Sequence, residues 1–164
     1  MNRNFLEPIA NRYFFCEDPV KIDGEGYADG KVDIERPLHA DHLDRGNRIL
    51  PFDGSAYLAK SDIKDGMFRL MDAVNVDIAG DKVTYHSTSF EDAREAKARI
   101  IQWVPVDSNV NVKIVMDDAS VKTGLGESAL NDLEVGDVVQ FERVGFARLD
   151  EICDGELIFY YAHK

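Results

Sequence analysis

Cysteine, tryptophan and long apolar runs are scarce in this chain of 164 residues. It contains two cysteines, Cys16 and Cys153, and one tryptophan, Trp103. Two cysteines are too few for a disulfide framework, and both stand among apolar residues, so we expect reduced core thiols in an intracellular, cytoplasmic protein. No run approaches the ~20 apolar residues of a membrane span. Glu7 and Pro8 interrupt the start before any signal-type stretch, so neither a secreted nor a membrane protein is predicted.

Positive charge is also scarce. The chain has 19 Lys and Arg against 31 Asp and Glu, a formal net charge of −12. Such a balance argues against a general nucleic-acid coat, a DNA-binding role or an anionic membrane partner, but it allows a local basic pocket. Hydrophobic residues make up 45% of the chain, enough to fill a core, so disorder is not expected. The length suits one domain or two small ones.

Catalytic and metal-binding signatures are missing. No Ser-His-Asp or Cys-His order is legible, and the Gly124-Leu125-Gly126 stretch lacks the third glycine and the lysine of a phosphate loop. We interpret that stretch as a turn. His39 and His42, with Asp41 and Asp44 beside them, have part of the spacing of a metal site, but a closed zinc site needs four ligands and usually cysteine. We therefore predict no metal site and no catalytic residue in this chain.

The pattern of the chain is mostly β. Short apolar or alternating runs recur between Gly, Asp, Asn and Pro, which is typical of short strands in barrels or sandwiches. Strands are predicted at residues 12–16, 31–38, 56–60, 68–78, 82–87, 99–106, 110–116, 138–143, 146–150 and 157–163. Hairpins are predicted for 68–78 with 82–87 and for 99–106 with 110–116.

Helix is predicted only over residues 91–97, which are strong helix formers, with one short turn at 128–133. The stretch 36–52 has little periodicity and is predicted to be a long loop. Loops of that length are usually functional or tightly packed.

Two distant segments carry arginine among apolar, strand-type residues. NRYFFCEDPVK, at residues 11–21, contains Arg12, and QFERVGFARLD, at residues 140–150, contains Arg143. Arginine is costly to hold in an apolar pattern without a partner, so two such positions brought together would form a pocket that recognises something polar. In a regular strand Gln140 and Arg143 face opposite sides, and only a bulge or a barrel rim could direct both into one pocket.

Six blocks in order carry a family resemblance. They are NRYFFCEDPVK, RPLHADHLDRGNRILPFDG, RLMDAVNV, YHST, IIQWVPV and QFERVGFARLD. Together they resemble the C-terminal anticodon-binding region of glutamyl-tRNA synthetases of the archaeal and eukaryotic kind. These are class I aminoacyl-tRNA synthetases, and glutaminyl-tRNA synthetases share the region. The resemblance covers the chain from about Pro8 to its end, and the NRYFF block favours the archaeal-type glutamyl enzyme.

The resemblance implies an all-β fold of two consecutive β-barrels of the glutaminyl-tRNA synthetase anticodon-binding type, with one or two short helices. Residues 1–98 would form the proximal barrel, 99–145 the distal barrel, and 146–164 the C-terminal strands that return to the proximal barrel. The family's catalytic domain has signatures that resemble HIGH and KMSKS, and neither occurs here. The chain is therefore expected to be the non-catalytic, tRNA-binding part, with ATP and Mg²⁺ used only by the missing catalytic domain.

The resemblance also implies anticodon-binding residues. Arg12, Arg69 and Gln140 match positions that contact anticodon bases in the glutaminyl relatives. Arg143 ranks below them, as a backbone or stacking contact. Lys64 ranks last, because relatives carry an additional basic segment before the RLMD block and this chain is shorter there. Arginine offers a rigid fork of donors and glutamine both a donor and an acceptor, which suits the edges of unstacked bases.

The aromatic residues near Arg12 divide between two roles. Tyr13 and Phe15 are candidates for the wall of the pocket, whereas Phe14 and Trp103 are expected in the core.

Each candidate also has a plain structural interpretation. Arg12 could pair with Glu17 or Asp18, Arg69 could be a solvated strand residue, and Gln140 could satisfy a backbone edge.

The implied partners are a tRNA that accepts glutamate, or also glutamine, and the protein's own N-terminal catalytic domain. Other synthetases are further candidates. Two alternatives stay open: the same region of a glutaminyl or non-discriminating glutamyl enzyme, and an acidic β-barrel module that docks proteins.

Overall fold

The computed structural model of the chain describes residues 10–39, 42–141 and 143–163. Strands dominate: β1 Asn11–Tyr13, β2 Phe15–Glu17, β3 Pro19–Asp23, β4 Val32–Pro37, β5 Asn47–Phe52, β6 Ser55–Ala59, β7 Gly66–Leu70, β8 Asn75–Ala79, β9 Lys82–Ser87, β10 Arg99–Ile101, β11 Val104–Pro105, β12 Asn109–Val115, β13 Val121–Glu127, β14 Val138–Phe141, β15 Gly145–Cys153 and β16 Glu156–His163. Within these ranges the helical elements are α1 Phe90–Glu95 and the 3₁₀ turns Leu43–Arg45, Lys60–Asp62 and Ser128–Asp132. The all-β prediction with few short helices is confirmed.

Seven strands form a sheet that curls nearly into a closed barrel, in the order β1-β14-β15-β16-β12-β13-β2. β1 and β2 form its two edges, and Phe14 alone separates them in the chain, so the backbone itself joins the edges. The remaining strands form the sheets β10-β7-β8-β9, β11-β6-β3 and β4-β5. The predicted domain boundaries at residues 98 and 145 stay a prediction.

The buried side chains form two main cores. The barrel core lies inside the seven-stranded sheet and comprises Tyr13, Phe15, Val110, Val112, Ile114, Leu130, Val139, Phe141, Ala147, Leu149, Leu157 and Phe159. The large core lies among the three smaller sheets and comprises Phe14, Cys16, Ile22, Leu50, Phe52, Ala56, Leu58, Ala59, Phe68, Leu70, Ala73, Val74, Val76, Ile78, Val83, Ile101, Trp103 and Val104.

Three consecutive aromatic residues connect the two cores. Tyr13 and Phe15 enter the barrel core, and Phe14 between them enters the large core. Successive side chains of an extended segment point to opposite faces, so this alternation follows directly from the strand geometry. Trp103 is fully buried and its indole N–H donates to the Met71 carbonyl oxygen at 3.0 Å. The predicted core positions of Phe14 and Trp103 are confirmed.

One predicted strand is two strands, and one predicted hairpin is wrong. The run 68–78 is broken at residues 71–74, where the Ala73 N–H donates to the Leu70 carbonyl oxygen at 2.8 Å. Ala73 and Val74 are buried in this turn, so the sequence of the turn shows the same apolar pattern as a strand. The β8–β9 hairpin is confirmed. The strands of 99–106 do not pair with β12: β10 pairs with β7, and β11 pairs with β6.

Two segments expected to be irregular are strands. Residues 47–52 form β5, which pairs with β4, so most of the predicted 36–52 loop is a hairpin with a 3₁₀ turn. Its pattern was obscured by Arg48, a charged residue that faces inward and is buried. The Gly124–Gly126 stretch lies in β13 and is not a turn. A side chain at Gly124 would clash with the backbone of β2, and one at Gly126 with the side chain of Leu130. The short helix α1 and the turn near residue 130 are confirmed.

The two cysteines differ in exposure. Cys16 is fully buried, and burial raises the pKa of its thiol to about 12. Cys153 lies exposed at the end of β15, so its predicted core position is wrong. Both are free thiols. Among the described residues, no helix is long and apolar enough to cross a membrane.

Candidate functional site

Arg12 and Gln140 lie side by side on neighbouring strands. β1 pairs in parallel with β14, with Arg12 opposite Gln140 and Tyr13 opposite Phe141. Side chains alternate between the two faces of a sheet. Tyr13 and Phe141 enter the barrel core, so Arg12 and Gln140 face outward, where both are half-buried. The structure therefore brings together two of the predicted site residues that are 128 positions apart, as 140 minus 12.

The outward face around this pair has an apolar floor and an unused acceptor. On β15, Phe146 lies opposite Gln140 and is fully buried in a cluster with Ala10, against which Val138 packs. Gln140 Oε1 is itself buried, with no hydrogen-bond partner among the described residues. A buried acceptor without a partner is unfavourable, and a ligand that donates a hydrogen bond would relieve it.

The backbone of the Arg12 segment is held by other parts of the chain. The Arg12 N–H donates to the Leu38 carbonyl oxygen at 2.8 Å, and Asn11 Oδ1 accepts from Arg45 Nη1 at 3.1 Å. Glu17 was considered as a salt-bridge partner of Arg12. Its Oε2 lies 3.5 Å from Lys122 Nζ, so Glu17 forms an ion pair with Lys122.

A buried ion pair that the sequence did not suggest lies beside this segment. Arg48 Nε donates to both carboxylate oxygens of Glu127, at 2.6 and 2.8 Å, and Arg48 Nη1 donates to the Pro37 carbonyl oxygen at 2.6 Å. Only 1% and 2% of the two charged side chains are exposed, which makes this the most deeply buried ion pair in the described part of the chain. Burial raises the pKa of Glu127 and lowers the pKa of Arg48, because desolvation outweighs their mutual attraction.

The same pair and a buried glutamine bind the backbone between β1 and β2. The Phe14 N–H donates to Glu127 Oε2 at 2.6 Å, and the Phe15 N–H donates to Gln102 Oε1 at 3.0 Å. These two side chains act as hydrogen-bond partners in place of a neighbouring strand, at the point where the chain passes from β1 at one edge of the barrel to β2 at the other. The sequence offered one signal for this ion pair, because Arg48 occupies an inward-facing position of β5. That strand was not predicted, so the signal was not recognised.

Arg143 lies in a turn and not in a strand. β14 ends at Phe141, and Arg143 has a φ of 66°, the left-handed region that few residues other than glycine adopt. The predicted strand 138–143 thus does not extend to Arg143, and Arg143 does not share a strand face with Phe141. Its Nη1 pairs with Oδ1 of Asp62, which is largely buried. Arg143 also lines a cavity of about 170 Å³ with Phe15.

Arg69 is buried in a different sheet from Arg12. It lies on β7 with 8% of its surface exposed, so it is not a solvated strand residue. Its Nη1 donates to Asn75 Oδ1 at 3.0 Å and to the Thr88 carbonyl oxygen at 2.9 Å. Its guanidinium carbon lies 5.8 Å from the centroid of the Phe90 ring. These contacts hold the start of α1 against the sheet.

The remaining predicted residues occupy three environments. Lys64 is exposed between the turn Lys60–Asp62 and β7. Tyr13 is a core residue, with 3% of its surface exposed. Phe15 is also a core residue, although its ring reaches the small cavity beside Arg143. Of the seven residues, the structure places Arg12 beside Gln140 and Phe15 near Arg143, and leaves Arg69 apart.

The histidine stretch forms no metal site in the part of the chain that the structure describes. His39 is buried and its ring packs edge-on against His42, with ring centroids 4.8 Å apart. Asp41, the acidic residue between them that was considered as a ligand, lies outside the described residues.

An open cleft of about 900 Å³ lies on the large-core side, away from β1 and β14. Its walls come from β3, the turn before β6 and the β8–β9 turn, and it contains none of the predicted site residues. Four carboxylates and two lysines line it: Asp23, Glu25, Asp53, Asp81, Lys21 and Lys82. The cleft is therefore acidic overall.

Three relatives resemble the chain over its whole length. It is 79% identical to a glutamate–tRNA ligase of Methanobrevibacter smithii, matching 100% of this chain and 30% of that protein. It is 49% identical to the glutamate–tRNA ligase of Methanothermobacter thermautotrophicus and 38% identical to that of Methanocaldococcus jannaschii, again over 100% of this chain. The chain spans about 30% of the length of these relatives.

Two family profiles match consecutive parts of the chain. Both describe the anticodon-binding domain of class I tRNA synthetases (E and Q), and they match residues 10–99 and 100–150. The resemblance drawn from the six sequence blocks is confirmed. The chain belongs to the family of anticodon-binding domains of the class I glutamyl- and glutaminyl-tRNA synthetases.

Proposed function

We propose that this chain reads the anticodon loop of a glutamate-accepting tRNA for a glutamate–tRNA ligase that contains it. The observation that carries the proposal is the outward pair Arg12–Gln140 on neighbouring strands, in which the buried Gln140 Oε1 has no hydrogen-bond partner among the residues that the structure describes. Anticodon bases can be splayed from their loop and recognised on their Watson–Crick edges. The Arg12 donors and the Gln140 amide complement an edge that carries both an acceptor and a donor.

The charge of the chain supports selective rather than general RNA binding. Phosphate attraction supplies most non-specific affinity, and a net charge of −12 supplies little of it. We expect this region to add discrimination between tRNAs, while the rest of the protein adds affinity through the acceptor stem. Tight binding of arbitrary RNA by the complete protein's anticodon region at physiological salt would contradict this.

The parent reaction would attach glutamate to tRNA with ATP and Mg²⁺ in the cytoplasm. All of that chemistry belongs to an N-terminal catalytic domain outside this chain, and no residue here is proposed to hold ATP or the metal ion. A glutaminyl or non-discriminating glutamyl enzyme remains the alternative within the family. The amino-acid pocket distinguishes these enzymes, and it also lies outside the chain.

Replacing Arg12 with alanine should weaken the binding of cognate tRNA by about 1–3 kcal/mol, the usual effect of losing a base contact. The loss should be much smaller for a transcript in which the anticodon bases are substituted, because the contact is already absent. Filter binding of both transcripts to the complete protein measures this. Arg148→Ala is the matched control, since Arg148 is an exposed arginine on β15. Equal losses for both transcripts would assign Arg12 to the phosphate backbone.

Replacing Arg69 with alanine should give a different result from Arg12→Ala. If Arg69 contacts a base, binding of cognate tRNA falls by about 1–3 kcal/mol. Its hydrogen bonds to Asn75 and Thr88 also predict a lower unfolding midpoint, whereas Arg12→Ala on the half-buried outer face should change it little. Urea denaturation and tRNA binding, measured on the same variant, separate the two effects. Unchanged stability would show that the buried network is dispensable.

The acidic cleft favours a second candidate function of another class. Its carboxylates, together with apolar lining residues such as Val20, Ile22 and Val83, suit a basic segment of a protein partner, such as another synthetase. Binding of a purified partner that persists after RNase treatment and in the Arg12→Ala variant would support this function. Binding that disappears with the RNA would reject it.

A further inference from the structure

We propose that the buried Arg48–Glu127 pair is a positioning device for Arg12 and thereby sets the selectivity of the Arg12–Gln140 pair for anticodon bases. This inference rests on the proposed function and assigns a role to residues that do not themselves face the RNA.

The ion pair belongs to a closed circuit of hydrogen bonds around the Arg12 backbone. The Phe14 N–H donates to Glu127, Glu127 accepts from Arg48, and Arg48 donates to the Pro37 carbonyl oxygen. The next residue, Leu38, accepts from the Arg12 N–H at 2.8 Å. The circuit thus fixes the backbone at the Arg12 N–H and again at the Phe14 N–H, two residues later.

Arg48 also contacts the two residues that follow Arg12. Its guanidinium carbon lies 5.7 Å from the centroid of the Tyr13 ring and 5.2 Å from that of Phe14. These distances fit cation–π contacts on rings that point into different cores. Because Tyr13 and Phe14 are fixed from one point, the backbone between Arg12 and Phe14 has little freedom to rotate or slide.

Directional bonding is what the ion pair adds over an apolar pair. A buried ion pair is often replaceable by apolar residues without loss of stability, so stability alone does not account for it. At the edge of the barrel the Phe14 N–H and the Pro37 carbonyl have the carboxylate and the guanidinium as their partners. Methyl groups could fill the space, but they could not fix the position of either backbone group.

A small displacement of β1 would change what the outward pair can recognise. Arg12 and Gln140 face a base together only while β1 keeps its parallel register on β14. Base recognition needs donors and acceptors within a few tenths of an ångström of their ideal positions. Loosening the circuit should therefore reduce discrimination between bases more than it reduces overall affinity for tRNA.

The test uses the double variant Arg48→Met/Glu127→Gln in the complete protein. Glutamine keeps an oxygen for the Phe14 N–H and methionine keeps most of the volume of Arg48, so the variant is designed to fold. We expect the ratio of affinities for cognate and anticodon-substituted tRNA to fall about tenfold, within the range of coupling found in shared networks. Asp72→Asn is the control, because it removes the negative charge from a more exposed pair with Arg36, whose guanidinium also lies 5.2 Å from the Phe14 ring.

A second measurement separates positioning from a purely structural role. If Glu127 acts through Arg12, adding Glu127→Gln to Arg12→Ala should not lower the affinity for either transcript further. If the pair only stabilises the fold, its effect adds to that of Arg12→Ala and falls equally on both transcripts. An unchanged ratio in the folded double variant would overturn the proposal. A wild-type protein that does not distinguish the two transcripts would instead reject the proposed function itself.

Discussion

Replacing Arg48 alone with alanine should destabilise the folded chain by about 3–5 kcal/mol, because it leaves the Glu127 carboxylate buried without its cation. Only 2% of the Glu127 side chain is exposed, so its carboxylate is largely cut off from bulk water. The Pro37 carbonyl also loses its donor. Urea denaturation followed by circular dichroism measures the loss in the free energy of unfolding.

The exposed pair Lys113–Glu156 provides the comparison. Its atoms lie 3.6 Å apart and both side chains are more than a third exposed, so Lys113→Ala should cost about 0–1 kcal/mol. The neutral double variant Arg48→Met/Glu127→Gln should lose much less than Arg48→Ala, since it leaves no buried charge unpaired. Similar losses for the Lys113 and Arg48 variants would mean that solvent reaches the Glu127 site.

Replacing Gly124 with alanine should destabilise the chain by about 3 kcal/mol, at the upper end of the usual range for overpacking. A Cβ at this position would lie 2.0 Å from the carbonyl oxygen of Cys16 and 2.8 Å from its carbonyl carbon. Both obstacles are backbone atoms of β2, so no side-chain rotation can relieve the clash. β13 and β2 would have to separate at the point where the barrel closes.

The neighbouring residue Thr123 gives a matched control, because its side chain is exposed on the same strand. Thr123→Ala should change the free energy of unfolding by no more than about 0.5 kcal/mol, the usual range for a surface substitution. Near-ultraviolet circular dichroism of Gly124→Ala should show altered packing of the aromatic residues at the junction of the cores. A normal spectrum and midpoint would show that the two strands can separate without loss.

The sequence predicted those strands and helices whose signal lies within the element itself. Alternation along β14, β15 and β16 and the helix formers of α1 gave elements that the structure contains. Alternation also associated Arg12 with Gln140 rather than with Arg143, and the parallel register agrees. The strand predicted at 138–143 ends before Arg143, because Arg143 lies in a turn and pairs with Asp62.

The features that the sequence did not reveal depend on distant contacts. β5 was missed because its buried arginine only makes sense once Glu127, 79 residues away, stands beside it. β13 was missed because its glycines resemble a turn until β2 is placed against Gly124 and Leu130 against Gly126. The partners of β10 and β11 lie on β7 and β6, and no turn between adjacent segments indicates this. The burial of Arg69 was also not predicted, because it depends on Thr88 and Phe90 at the start of α1, which lie against its guanidinium.

The short strand that passes from one edge of the barrel to the other also has a consequence for how the chain acquires its fold. Its contacts reach far along the sequence, since Phe14 and Glu127 are 113 residues apart. Contacts of that separation are slow to form, because the intervening chain must first be ordered. During synthesis β1 and β2 therefore have to wait, with three large aromatic side chains exposed, until β13 and β14 leave the ribosome. The pair that would read the anticodon is thus among the last parts of the barrel to be assembled.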